Sequence, residues 1–288
     1  MSLPAAQGKS MLSLRSTSFS NGRRDTTRTS RVQMAVAQGG MDQIVGLKMP
    51  ASVTKSWEVH KFGGASLADA GLYRTVGDLL VTESLGRGDG AVPTMAIVSA
   101  MSGTTDQLIG VVNAALKDPA EAKKLLDVAV DKQISTLKEL AGPEIVAPIE
   151  RNIRKDADDI MGVLQALKLL RTIPAVTLEL ITGFGEVWSA QTLNGYLKAK
   201  GVPCDWIDAR EILIVESTLS GLGEKGSAAT AGVNPLWEET SLRMQRWWLE
   251  RAAANGLHGL DYSRAAPVIT VTGFVASTAD GAPTTLKR

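Results

Sequence analysis

The chain has 288 residues and a mass of 30.5 kDa, room for one large domain or two small ones. With 44% hydrophobic and 21% charged residues it has the material for a buried core, which excludes a disordered or collagen-like chain. One cysteine (Cys204), two histidines (His60 and His258), a net charge of +1 and no apolar run near 18 residues argue against an internal disulfide, a cysteine- or histidine-built metal site, a strongly basic nucleic-acid binder and a membrane span.

Residues 1–40 carry Lys9, Arg15, Arg23, Arg24, Arg28 and Arg31 against Asp25 alone, a local charge of +6 − 1 = +5 that leaves −4 for the remainder. Seven serines and four threonines share this stretch. A basic, hydroxyl-rich and acid-poor composition is that of an organelle transit peptide, and no apolar segment suits a secretory signal. Residues 1–50 are therefore expected to be transit peptide and disordered linker, and 51–288 the folded part.

The first strand is expected at 57–62 (WEVHKF), closed by Gly63 and Gly64. Ser66 is a candidate N-cap for a helix from Leu67 to about Thr82. After a GRGDG loop at 86–90, residues 93–100 (PTMAIVSA) read as a buried parallel strand and 106–116 as a helix. Apolar residues at 3–4 spacing predict amphipathic helices over 120–140 and 145–170. A further helix over 176–200 is expected to break near Gly183–Gly185. Residues 203–207 and 211–215 read as short strands, and 219–233 as a Gly/Ser/Ala-rich loop. A helix over 236–255 carries Trp237, Trp247 and Trp248, read as packing residues. Residues 267–272 (PVITVT) form a core strand, and 273–288 a hairpin turning at 279–283. The alternation predicts a three-layer α/β/α sandwich with a mainly parallel sheet.

In such sheets ligands bind beyond the carboxyl ends of the strands. Lys61 stands at the end of the first strand, and Gly63 and Gly64 allow close backbone approach, so the segment can hold a phosphate; an ordinary strand-end lysine before a turn fits equally. Neither GxxxxGK[ST] nor GxGxxG is present. The second strand ends in small hydroxyl residues, Ser99 to Thr105, which either bind a phosphate or carboxylate or cap the next helix through Thr104 or Thr105. Glu186 follows two glycines at an expected helix start, where it either caps or pairs with an ammonium group. His60, His258 and Cys204 read as structural.

As a set, Lys61–Ser66 (KFGGAS), Ile97–Gly103 (IVSAMSG), Gly183–Ser189 (GFGEVWS), Asp208–Glu211 (DARE), Val271–Phe274 (VTGF) and Ala282–Arg288 (APTTLKR) resemble the aspartokinases of the amino-acid kinase superfamily. The plant-type bifunctional aspartokinase–homoserine dehydrogenases have a similar kinase half. The resemblance runs over about 57–288. It implies an amino-acid kinase or carbamate kinase-like fold, incomplete at the C-terminus, holding the N-terminal, substrate part of the catalytic domain. Ala65 departs from the usual threonine, and the family continues past its LKR into a Gly-Ser-Asp-x-Ser segment that helps to bind ATP and magnesium.

The implied function is aspartate kinase, with ATP and Mg2+ as cofactors and L-aspartate as acceptor of the γ-phosphoryl group on its β-carboxylate. That carboxylate is ionised at pH 7, so no general base is needed, and positioning and charge neutralisation carry the rate. By the family pattern Lys61 is catalytic and, with Gly63, Gly64, Thr284, Thr285 and Arg288, meets the nucleotide. Ser66, Ser99, Thr105 and Glu186 bind the substrate, Glu186 accepting from its α-ammonium. No protein metal ligand is implied, nor a nucleic-acid or membrane partner. A homo-oligomer, or fusion to homoserine dehydrogenase in the intact gene, fits the family. The resemblance favours a plastid, with the mitochondrion as alternative. Two other readings stay open: a superfamily member acting on another acid, and a non-catalytic fragment that binds aspartate or pairs with a full-length kinase.

Overall fold

The computed structural model describes residues 57–86, 92–216, 233–256 and 266–286. The expected transit peptide, the loops at 86–90 and 219–233 (beyond Gly86 and Val233), His258 and Arg288 lie outside the described residues.

Four strands form one parallel sheet: β1 (Glu58–Phe62), β2 (Thr94–Val98), β3 (Cys204–Ile207) and β5 (Val268–Thr272), in the order β1-β2-β5-β3. β2 and β5 run through its centre as apolar segments that few water molecules reach, which is what their Val/Ile-rich sequences dictate. Phe62 pairs with Val98 and Val98 with Thr272, while Ile207 pairs with Val271. All four carboxyl ends therefore share one rim.

Helices α1 (Ala70–Leu85) and α5 (Ala175–Ala199) cover one face of this sheet. Phe62, Ala96, Val98 and Val268 pack there against Tyr73, Leu80, Leu193 and Tyr196. Helix α7 (Trp237–Ala254) covers the other face, burying Trp247 and Trp248 with Ile207 and Ile269. This is the expected three-layer sandwich. Helices α2 (Thr104–Ala115), α3 (Pro119–Leu140) and α4 (Pro143–Leu170) pack on the far side of α5 around Leu126, Ile134, Ile153, Ile160 and Trp188. As a result α5 is buried on nearly every side from Ile181 to Leu197. A short helix α6 (Ala209–Ile212) leads to a second sheet, in which β4 (Ile214–Val215) runs parallel to β6 (Val275–Thr278) and β6 antiparallel to β7 (Pro283–Thr285).

The structure corrects four local expectations. Ser66 lies in a 3-10 turn (Gly64–Leu67), and the first helix starts later, where the Asp69 side chain accepts from Leu72 N at 2.9 Å; a carboxylate outcompetes the hydroxyl once the turn has used Ser66 N to reach Gly63 O. Helix α2 is preceded by Gly103 at φ 82°, so Thr104 and Thr105 sit in its first turn and cap nothing. Helix α5 is unbroken: its glycines serve close packing and not a break. The segment 211–215 splits into the end of α6 and the two residues of β4, because Asp208 caps α6 through Arg210 N. Among the tryptophans read as packing residues, Trp237 is 70% exposed.

Candidate active site

The rim of strand ends is where the motifs meet. A Cβ on Gly64 would lie 2.9 Å from the carbonyl oxygen of Ala100, and one on Gly185 only 2.8 Å from the Ala100 Cβ. A Cβ on Gly273 would come within 2.9 Å of the Val98 oxygen. Real side chains do not fit at these distances, so three backbones from three separate motifs touch the end of β2 because each supplies a glycine there. KFGGAS, IVSAMSG, GFGE and TGF thus form one structure, although 210 positions separate Gly64 from Phe274 (274 − 64).

Ser99 follows β2, half-buried, with its N–H donating to Phe62 O at 3.0 Å. Its turn is held by Lys132 of α3, whose Nζ donates to Ser102 O at 2.6 Å. Glu186 is mid-helix in α5 and 2% exposed, contrary to the expected helix-start position. One turn on, Ser189 bonds the Tyr73 hydroxyl at 2.7 Å and the Ala190 carbonyl accepts from Thr270 at 3.2 Å. One turn back, Gly183 abuts Val275. These neighbours turn the Glu186 side of α5 toward the strand ends. Burial pushes the Tyr73 phenol up to about 12, so it stays a neutral hydrogen-bonding anchor.

Lys61 is exposed, one residue before the end of β1. Strand alternation sends Phe62 under α5 and Lys61 to the opposite face of the sheet. Lys61 and the helix that carries Glu186 therefore stand on opposite faces of the sheet.

Next to the rim opens a cleft of about 410 Å³, lined by Thr105, Asp106, Ile109, Leu178, Glu179, Thr182, Phe274 and Thr285. It brings Thr105 together with Thr285; Lys61, Ser99 and Glu186 are not among its lining residues. Glu179 Oε2 accepts from Thr284 Oγ1 at 2.9 Å and from Thr285 N at 3.2 Å, which ties β7 to α5. Phe274 has φ 62° in a tight turn closed by Val275 N donating to Gly273 O at 2.7 Å. A non-glycine residue held there stores strain that only the surrounding packing can sustain, and such strain concentrates at functional sites. Among the described residues, no group of three or more His, Cys, Asp or Glu stands close enough to hold a metal ion.

Sequence reading missed Glu179, Lys132 and the Phe274 strain. The first was reachable: in an unbroken helix 179, 182 and 186 share a face. Lys132, 30 residues from its partner carbonyl, left no local signal.

Behind the rim, the Trp188 indole donates to Asp156 Oδ2 at 3.0 Å. Burial pushes the Asp156 carboxyl up to about 6 against the opposing effects of that bond and of Arg210. A folded-state value above the unfolded 3.8 means that this group's stabilising contribution is full below pH 4 and is lost as pH rises through about 6. The difference corresponds to roughly 3 kcal/mol. Asp156→Asn should therefore gain stability over wild type between pH 4 and pH 7, on the order of 1–3 kcal/mol by denaturant titration. A constant difference between the two proteins across that range would refute it.

Residues 56–283 match the amino acid kinase family, and the chain belongs to that family. Within it, the chain is similar to the bifunctional aspartokinase/homoserine dehydrogenases 1 and 2 of Zea mays, both chloroplastic, at 31% and 32% identity over 233 residues. These alignments take in 81% of this chain and 22% of each relative, so the chain spans about a fifth of their length. Its fold is that of Escherichia coli aspartokinase III in complex with aspartate and ADP, with a TM-score of 0.58 and 21% identity over 81% of this chain and 44% of that one.

Proposed function

We propose that the chain is the amino-acid-binding part of an aspartate kinase, which phosphorylates the β-carboxylate of L-aspartate with ATP. The observation that carries this reading is the convergence of three motif segments on the fourth, at the end of β2, through Gly64, Gly185 and Gly273. Support also comes from the relatives, whose names give aspartokinase activity, and from the related fold with aspartate and ADP bound.

In this reading the β-carboxylate is already anionic, and the obstacle is its repulsion from the triphosphate. Glu186 receives the α-ammonium, while Ser66, Ser99 and Thr105 offer hydroxyls to the substrate oxygens. Lys61 neutralises phosphate charge as it shifts during transfer, with Gly63 and Gly64 allowing the backbone to approach. Thr284, Thr285 and Arg288 meet the nucleotide. Magnesium, bound with the ATP phosphates, would supply further charge neutralisation there. The folded part, 51–288, follows a plastid transit peptide in 1–50, supported by the composition and by the chloroplastic relatives. Partnership with homoserine dehydrogenase, as a fusion, belongs to the same proposal, as does a homo-oligomer.

The test is calorimetry with L-aspartate and with ATP, alongside aspartate-dependent ADP release. L-Aspartate should bind and L-glutamate should not. Preference for L-glutamate would move the protein to another acid within the family, and binding of neither would end the reading.

A further inference from the structure

The segment Asp208–Glu211 belongs to the family pattern, yet the reading above gives it no task. Asp208 follows β3 at the rim and is 9% exposed. Its carboxylate accepts from Arg210 Nε at 3.0 Å and from Nη2 at 2.6 Å, and also from the Arg210 backbone N at 3.0 Å. Thr272 Oγ1, at the end of β5, accepts from Ala209 N at 2.7 Å and pins this loop to the sheet. With two of its nitrogens held by Asp208, the guanidinium lies over the Phe184 ring, its central carbon 5.0 Å from the ring centroid. Asp156 is near enough to Arg210 to attract it electrostatically, and the Phe184 and Trp188 rings lie 6.4 Å apart.

Phe184 is the one side chain between Thr182 and Glu186, because 183 and 185 are glycines. Packing at 183 and 185 is backbone against neighbour, which sets how closely α5 approaches but offers no side chain to hold its rotation. Within this turn Phe184 supplies that hold, beside the bonds of Ser189 and Ala190 one turn on. We infer that Asp208 and Arg210 form a clamp that seats Phe184 and thereby sets where α5 presents Glu186 to the amino-acid substrate. Arg210 is a positioning residue that acts through Phe184. Its link to substrate rests on the aspartate reading, whereas the clamp itself does not.

Arg210→Lys keeps the charge and stem but loses the two-pronged bond and the flat face, so it separates the clamp from simple charge. Amide hydrogen exchange should speed at least tenfold at 184–187 in Arg210→Lys, with 126–137 of α3 unchanged. L-Aspartate should bind about tenfold more weakly. Phe184→Leu should do the same, and the double variant should be no weaker than the worse single one, since both remove one contact. Unchanged exchange at 184–187, a uniform rise throughout the protein, or additive losses of affinity would each overturn the clamp. A wild-type protein that takes up no L-aspartate sinks the aspartate reading instead, and the exchange result then decides the clamp alone.

Discussion

Glu186→Gln should weaken L-aspartate binding by between about 10- and 100-fold, the cost of trading a carboxylate–ammonium bond for a neutral one. Glu186 is 2% exposed on the most buried of the described helices, turned toward the strand ends by the bonds of Ser189 and Ala190 one turn on. In so dry a place a charge-assisted hydrogen bond is worth more than at the surface. Glutamine keeps the volume and the helix propensity, so the core should hold and circular dichroism should be unchanged. Succinate provides the internal control. It has both carboxylates of aspartate but no ammonium, so the substitution should leave its affinity unchanged or improved. L-Aspartate bound within threefold of wild type would remove Glu186 from the site, and equal loss of both ligands would mean that the substitution had damaged the fold.

Lys61→Ala should lower the rate of aspartate-dependent ADP release by about 10² or more in an active preparation, with little change in L-aspartate affinity. The asymmetry follows from its place. Lys61 is exposed at the end of β1 and on the face of the sheet away from α5, so its removal opens no cavity and touches nothing that positions the amino acid. In the proposed function its positive charge meets the phosphates, and that matters most when charge shifts in the transition state. Melting temperature should therefore stay near wild type, as for most surface substitutions. A rate within threefold of wild type would take Lys61 out of the chemistry. A proportionate loss of L-aspartate binding would make it a substrate ligand instead.

Several features of this site could be read without a fold. KFGGAS, IVSAMSG and TGF each end a strand in small residues, and a parallel sheet collects strand ends along one rim. The strands themselves were legible because β2 and β5 are short apolar runs between polar turns, and α3 because its apolar residues recur at 3–4 spacing. The helix carrying Glu186 was less so. Read locally, Gly183 and Gly185 break a helix; in the protein they are the two places where Val275 and Ala100 press against it. Asp69 in place of Ser66 as a cap, and α6 where a strand was expected, are smaller instances of the same effect.

From the chain alone came most of its elements, their mainly parallel arrangement, the family resemblance and the candidate residues of the proposed site, because periodicity, turn chemistry and short motifs act over a few residues. Tertiary structure alone decided that α5 runs unbroken, that Glu179 ties β7 to it, and that Arg210 lies on Phe184. Those outcomes depend on what stands across a gap of a few ångströms from a residue. For a glycine above all, a break and a contact surface are written with the same letter, and only the neighbour tells them apart.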